Sequence, residues 1–115
     1  MSDLLKNLIM WGCDVSGAME RMDDDEEFYL ECLKDVVDDA YFERLHESLV
    51  QGDTNEAFNA AHALKGVLVN VGLTPMYDKT VEIVEPLRNG QIEGLLMKYA
   101  ELDKMRNNLN TIIRG

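Results

Sequence analysis

Cysteine, proline and long apolar runs are scarce in this chain of 115 residues. Cys13 and Cys32 have no metal-site spacing and no neighbouring ligand cluster, so we expect reduced thiols rather than a metal site or a disulfide. No apolar run approaches the roughly 20 residues that cross a bilayer. The N-terminus also lacks the basic segment and long apolar stretch of a signal peptide. We therefore expect a cytoplasmic protein in which residues 1–115 form a single domain.

Basic residues are scarce as well, with 11 Lys and Arg against 22 Asp and Glu and a net charge of −11. This balance argues against nucleic acid and against anionic membranes as partners. The charge is uneven, because residues 1–58 hold 16 acids and 4 bases whereas residues 59–115 hold 6 acids and 7 bases. We interpret the acidic half mainly as a solvated face that keeps the protein soluble; steering of partners is the alternative.

Apolar residues recur with a helical period along the chain, which predicts an all-α fold. A short helix is expected over residues 3–10 and a turn over residues 16–22. Asp38 and Asp39 are expected to kink or recap the next segment, and Pro86 to kink or end a later helix. Short connectors favour antiparallel neighbours. We predict an up-and-down antiparallel four-helix bundle with a short N-terminal capping helix and long segments at residues 26–51, 53–72, 75–89 and 92–113.

The most informative segment is Ala61–Gly66, which places Lys65 and Gly66 one helical turn from His62. A neutral imidazole is a nucleophile near pH 7, and a neighbouring ammonium can compensate the charge of a phosphoryl group on the ring. A glycine inside a helix costs about 1 kcal/mol relative to alanine, so the close approach of another molecule is one reason for Gly66. By composition alone, such a His–Lys pair is more often an ordinary solvated surface pair.

A helical wheel separates His62 from the apolar stripe of its own helix, since each residue turns about 100°. No carboxylate orienter and no companion nucleophile lie at neighbouring helical positions, which disfavours hydrolysis as the function. The face of His62 also carries Asn55, Phe58, Asn59, Lys65, Gly66 and Val69. The opposite face, which we predict to be the core stripe, carries Ala57, Ala60, Leu64, Val67, Leu68 and Val71.

The run His62-Ala63-Leu64-Lys65-Gly66, followed by Asn70 and Gly72, resembles the signature of histidine-containing phosphotransfer (HPt) domains. The turn at residues 51–53 is similar to the short Gly-Asp loop that precedes the histidine helix in that family. Residues 24–33 resemble the helix before it, so the resemblance covers most of the chain. It implies a four-helix bundle with an exposed phosphorylatable histidine and no kinase activity of its own.

The resemblance also implies roles for individual residues. His62 would be phosphorylated, through Nε2, by the aspartate of a response-regulator receiver domain or of a hybrid sensor histidine kinase, and would donate the group back in a transient heterocomplex. Lys65 would stabilise the phosphoryl oxygens and Gly66 would let the receiver dock closely. No metal or cofactor is expected on this chain, because the receiver supplies the Mg²⁺. The remaining residues expected to border the docking surface are Phe58, Asn59 and Val69.

Three positions depart from the family pattern. Val67 and Leu68 stand where many relatives have Ser or Ala, but the wheel turns both toward the core. Pro86 lies where relatives usually continue the helix, which puts that boundary in doubt. His46 lacks the Leu-Lys-Gly context and is interpreted as a surface histidine.

Two other functions are open at this point. The first is a non-phosphorylated helical adaptor that binds a receiver or histidine kinase, whose docking face would look much the same. The second is a small enzyme that uses His62 as an acid or base. Such an enzyme needs further convergent polar groups in a concave pocket, and the sequence offers no second cluster to supply them.

Overall fold

A computed structural model describes residues 2–115 as a succession of helices joined by short connections. Met1, which belongs to the predicted domain, lies outside the described residues. The prediction of an all-α fold is confirmed, and no helix within residues 2–115 is long and apolar enough to cross a membrane. The helices are α1 (Asp3–Trp11), α2 (Val15–Arg21), α3 (Glu26–Val37), α4 (Ala40–Gln51), α5 (Thr54–Asn70), α6 (Thr74–Arg88) and α7 (Leu95–Arg114).

Aspartate side chains begin four consecutive helices. Each accepts a hydrogen bond from a backbone N–H in the first turn, at 2.8 to 3.1 Å. An N-terminal carboxylate satisfies an otherwise unpaired donor and interacts favourably with the helix dipole. Part of the acidity of the first half of the chain therefore specifies where helices start. The capping residues are Asp14 for α2, Asp25 for α3, Asp39 for α4 and Asp53 for α5.

Three predicted boundaries need correction. The segment 26–51 is two helices, because Asp39 accepts from the N–H of Tyr41 and starts α4 anew. Residues 16–22, predicted as a turn, fall almost entirely in helix α2. The last helix begins at Leu95 rather than at residue 92, since Gly94 precedes it with a φ of +79°.

The packing of α5 determines which residues face outward. This helix lies between α4 and α6, while α7 packs against α6, α4, α3 and α1. Five of the six residues predicted for the core stripe of α5 are buried, namely Ala57, Ala60, Leu64, Leu68 and Val71. Val67 is the exception, because it is only partly buried. With the stripe committed to the core, the opposite face of α5 is left to solvent.

The C-terminal end of α5 is held by side chains from the N-terminal helices. Arg21 of α2 donates from Nε to the carbonyl oxygen of Asn70 at 2.9 Å and from Nη2 to that of Val69 at 3.2 Å. The buried hydroxyl of Tyr29 in α3 donates to the carbonyl oxygen of Val71 at 2.8 Å. The last carbonyls of a helix have no partner within the helix, so these bonds stabilise the end of α5 and fix α2 and α3 against it.

Gly72 makes the tight turn between α5 and α6 possible. Its φ is +71°, and a Cβ at this position would clash with the carbonyl oxygen of Asp14. The N–H of Asp14 in turn donates to the carbonyl oxygen of Gly72 at 2.8 Å. The connection between α1 and α2 is thereby bound to the connection between α5 and α6.

Candidate functional site

His62 lies near the middle of α5 with its side chain exposed, as the helical wheel predicts. The other residues predicted for the site lie on the same face of α5. Asn59, Gly66 and Val69 are exposed, whereas Phe58 and Lys65 are partly buried. The local helical period is sufficient to bring this set together, because every member lies within two turns of His62.

An aromatic contact orients the ring of His62. The centroids of the Phe58 and His62 rings are 5.7 Å apart, with the planes inclined by 30°. The guanidinium carbon of Arg88 lies over the ring of Phe58, 5.3 Å from the ring centroid. A cation at this distance from an aromatic ring is attracted by its quadrupole. Phe58 therefore links the imidazole on α5 to a guanidinium on α6.

Arg88 is a site residue that the sequence did not indicate. It belongs to the last turn of α6, far from His62 along the chain, and no local pattern connects the two. Its guanidinium is half exposed and also lies 3.6 Å from a carboxylate oxygen of Glu85. The packing of α6 against α5 is what brings this cation onto Phe58, the ring that contacts His62.

Lys65 supplies the nearest cation on α5 itself. It lies one turn from His62, and it forms no ion pair within residues 2–115. Its partly buried side chain is typical of lysine, whose aliphatic stem covers apolar surface while the ammonium stays in water. The charge of Lys65 is therefore available to a group placed on His62 or to a docked molecule.

Packing within residues 2–115 does not require a glycine at position 66. It lies inside α5 without a positive φ, and an added Cβ would meet no atom within 4 Å. Gly72, by contrast, cannot accept a Cβ without movement of the backbone of Asp14. The helix-propensity cost of Gly66 is therefore not offset by any contact within the described residues.

His62 lies on an open helix face and not inside a cavity. A groove of about 800 Å³ runs beside it and is lined by Gly66 and Val67, but not by His62. No group of three or more His, Cys, Asp or Glu side chains in residues 2–115 is arranged to hold a metal ion. The exposed position of His62 on a helix face differs from the concave pocket that the small-enzyme alternative needs.

The second histidine and the two cysteines lie outside the candidate site. His46 is exposed on α4 and stacks on the ring of Tyr99, with the centroids 5.0 Å apart. Cys13 is buried in the core, and burial raises the pKa of its thiol to about 12. Cys32 is partly buried on α3, and burial again raises the pKa of the thiol.

The fold and the exposed histidine define an all-helical domain that carries a histidine on the open face of α5. The model of the Hpt domain family matches residues 18–112, which include every residue of the candidate site. The chain belongs to the Hpt domain family, and the predicted family is confirmed. Members of this family are phosphocarriers of two-component signalling. No curated protein and no solved structure matches the chain.

Proposed function

We propose that this protein is a phosphorelay carrier that accepts a phosphoryl group at His62 from the aspartate of a receiver domain and donates it to another. The observation that carries the proposal is the exposed imidazole of His62 on the open face of α5, within the segment that matches the family. The partners are response-regulator receiver domains and the receiver domain of a hybrid sensor histidine kinase. They meet this chain in a transient heterocomplex, and we place that encounter in the cytoplasm.

The transfer step exchanges a P–O bond for a P–N bond. The lone pair on Nε2 of neutral His62 attacks the phosphorus of the aspartyl phosphate, and the electrons of the breaking P–O bond remain on the carboxylate of the receiver. The ring, still protonated at Nδ1, acquires a positive charge that it loses with that proton to water. The neutral form of an imidazole is the nucleophilic form. The reverse sequence returns the group to a receiver.

The residues around His62 act on the charge and access of the phosphoryl group. Lys65 provides an ammonium for the phosphoryl oxygens, a charge-assisted contact stronger than a neutral hydrogen bond. Arg88 lies over the ring of Phe58, which contacts the imidazole, and places a second positive charge at that ring. Gly66 leaves room for the receiver, which supplies the Mg²⁺ that neutralises the transferring group. The docking surface is bordered by Phe58, Asn59, Gly66 and Val69.

The scaffold that we propose for this function is an up-and-down four-helix bundle. The contacts of α4 with α5, of α5 with α6, of α6 with α7 and of α7 with α4 support it. In this arrangement α1 and α2 cap the end at which α5 turns into α6. A rigid helix is a better support for a reacting side chain than a loop, since packing holds its backbone in place.

A label-transfer experiment tests the proposed function. Each receiver domain of the source organism is phosphorylated with labelled acetyl phosphate and mixed with the purified protein. The wild-type protein should acquire acid-labile, base-stable phosphate from at least one receiver, and His62→Gln should acquire none. His46→Gln is the matched control and should be labelled like the wild type, because His46 stacks on Tyr99 away from the site.

Two outcomes would overturn the proposal. Labelling of His62→Gln at the wild-type level would mean that another residue carries the phosphate. Stable binding of a phosphorylated receiver without transfer would favour the alternative, a helical adaptor that binds a receiver or kinase and carries no phosphate.

A further inference from the structure

The outward face of α7 is apolar near the start of this helix. Leu96 is 46% exposed, Met97 is 75% exposed, and Ala100 is exposed one turn further along. Each residue of a helix turns about 100°, so the three side chains lie within about 100° of one another. They lie on the side away from the buried Leu95 and Leu102. The packing of α7 on the core therefore leaves much of this apolar surface uncovered.

An exposed valine on α4 extends this face. The aromatic contacts between α4 and α7 place earlier residues of α4 against later residues of α7, so the two helices run antiparallel. Val50, which is 61% exposed, lies one turn beyond His46 on α4, and Leu96 lies one turn before Tyr99 on α7. Because His46 stacks on Tyr99, Val50 and Leu96 lie at the same level of the helix pair. The α7 patch consists of Val50, Leu96, Met97 and Ala100.

Two charges of opposite sign flank the α7 patch. Glu93 is exposed just before α7, and its carboxylate accepts a hydrogen bond from the N–H of Ile92 at 3.3 Å. Lys104 is exposed on the outward face of α7. Neither forms an ion pair within residues 2–115. Glu93 precedes Ala100 by seven residues, and Lys104 follows Met97 by seven residues, so the patch has an acidic end and a basic end.

This order of charges is complementary to itself when two copies of α7 run antiparallel. With Met97 of one copy opposite Ala100 of a second copy, Lys104 of the first lies opposite Glu93 of the second. Two-fold symmetry then forms the same pair again at the other end. A parallel arrangement would place like charges opposite each other. An apolar centre with flanking charges that match in only one orientation is typical of helices that pair side by side.

The distribution of charge along the chain also favours contact through α7. The net charge of −11 makes two copies repel each other. Residues 1–58 hold 16 acids and 4 bases, whereas residues 59–115 hold 6 acids and 7 bases. Since α7 belongs to the nearly neutral half, a second copy meets less repulsion there than at α3 or α4.

We infer that a second copy of this chain covers the α7 patch, through antiparallel packing of α7 on α7 with two Lys104–Glu93 ion pairs. Both α5 and α7 pack on α4 and on α6, so in the proposed bundle their outward faces point in opposite directions. The dimer therefore leaves His62 accessible in both copies. Because the patch is small, we expect a weak and reversible dimer.

Charge variants of the full chain test the geometry of this dimer by sedimentation equilibrium. The wild type should dimerise reversibly as its concentration is raised. Lys104→Glu and Glu93→Lys should each raise the dissociation constant of the dimer about tenfold, because each places like charges opposite each other at both ends. An equimolar mixture of these two variants should associate about as tightly as the wild type, since opposite charges then face each other again. Lys6→Glu, at an exposed lysine of α1, is the matched charge control and should associate like the wild type.

A second pair of measurements tests the apolar part of the patch. Met97→Glu should be monomeric at concentrations at which the wild type is dimeric. Its thermal unfolding should be unchanged, because the side chain is 75% exposed. In an NMR dilution series of the wild type, the methyl signals of Leu96 and Met97 should shift. The methyl signals of Val69, which is 50% exposed on α5, should not.

Three results would overturn the inference. A wild-type protein that stays monomeric at every concentration would mean that a different protein covers the patch. A mixture of the two charge variants that associates no better than either alone would exclude the Lys104–Glu93 pairs. Methyl shifts on dilution at Val69 instead of Leu96 and Met97 would place the contact on another face. None of these measurements depends on phosphoryl transfer, so failure of the proposed function is distinguishable.

Discussion

The outward face of α5 and the surface shared by α6 and α7 differ in whether their charged side chains form ion pairs. Between α6 and α7, Lys79 lies 2.6 Å from Glu101 and 3.3 Å from Glu82, and Lys98 lies 2.7 Å from Glu82. Each charge there has a partner on the neighbouring helix or on the next turn. On α5, Lys65 has no such partner within residues 2–115.

The difference separates residues that hold helices together from residues left for another molecule. Carboxylates and ammonium groups that pair across two helices contribute to their register, even when each exposed pair stabilises the fold only slightly. Lys65, which has no ion-pair partner within residues 2–115, and Gly66, whose lack of a side chain no contact explains, do not contribute to the register of the helices. We therefore expect substitutions on the two surfaces to affect different measurements.

The largest difference in phosphoryl-transfer rate should be found between the variant that lacks Lys65 on α5 and the variant that lacks Lys79 on α6. Lys65→Ala should slow phosphoryl transfer about 10- to 100-fold, the factor that corresponds to the roughly 1.5–3 kcal/mol of a charge-assisted hydrogen bond. Lys79→Ala should leave the transfer rate unchanged, because its partners, Glu82 and Glu101, lie on the surface shared by α6 and α7. Rates are compared by rapid quench, and thermal unfolding is followed for both variants. An equal loss of rate in the two proteins would remove the proposed role of Lys65.

Gly66 lies inside α5 and Gly72 lies just beyond its C-terminal end. Replacing each by alanine should change the free energy of unfolding in opposite directions. Gly66→Ala should raise the free energy of unfolding by up to about 1 kcal/mol, since alanine favours the helix and the added Cβ has open space. Gly72→Ala should lower it by about 1–3 kcal/mol, because alanine is strained at positive φ and its Cβ meets Asp14. Urea unfolding measures both values.

The Gly66→Ala variant also tests the proposed docking of the receiver on α5. Gly66→Ala should transfer phosphate several-fold more slowly despite its greater stability, if the receiver approaches α5 at this point. Wild-type transfer by a stabilised Gly66→Ala protein would argue against that approach.

The smallest effect expected is the pH dependence of the α6–α7 ion pairs. Hydrogen bonds from Lys98 and Lys79 hold the pKa of Glu82 below its usual 4.5, and a hydrogen bond from Lys79 does the same for Glu101. The hydrogen bond to Glu101 raises the pKa of Lys79 above 10.5. The carboxylates therefore contribute stability above about pH 4.5 that is lost as the pH falls through their lowered values in the folded protein.

The sign for Lys79 is the reverse, since its contribution is complete below pH 10.5 and is lost as the pH rises through its raised value. Melting temperatures of wild type and Lys79→Ala should differ slightly at neutral pH and converge in acid. A difference that persists below the pKa values of both carboxyls would show that Lys79 stabilises the fold through its stem and not through its charge.

Much of the candidate site was predictable because it is local. His62, Lys65 and Gly66 lie within a helical turn of one another, so a single period of 3.6 residues relates them. Caps are local too, which is why Asp53 could be recognised as the start of α5. At Asp38 and Asp39 the sequence predicts either a kink or a recap, because an apolar stripe continues on both sides of these residues.

Other features depend on contacts between distant segments. Arg88 reaches the ring of Phe58 only because α6 packs on α5. Val67 was predicted to face the core, but it lines the groove, because α2 and α3 leave an open space beside α5. The wheel describes angles about one helix axis and contains no information on where the neighbouring helices stop.

The helical class, the family, the exposed face of α5 and the residues that we propose for phosphoryl transfer can all be predicted from the order of the residues. These follow from side-chain periodicity, capping chemistry and a short motif, all of which act over a few residues. The placement of the helices determines that Lys65 has no ion-pair partner within residues 2–115, that a Cβ at Gly66 would meet no atom of another residue within 4 Å, and that a groove adjoins α5 at Gly66. The physical reason is that pairing, open space and grooves are properties of surfaces from several helices, and their relative placement is set by the core that they share.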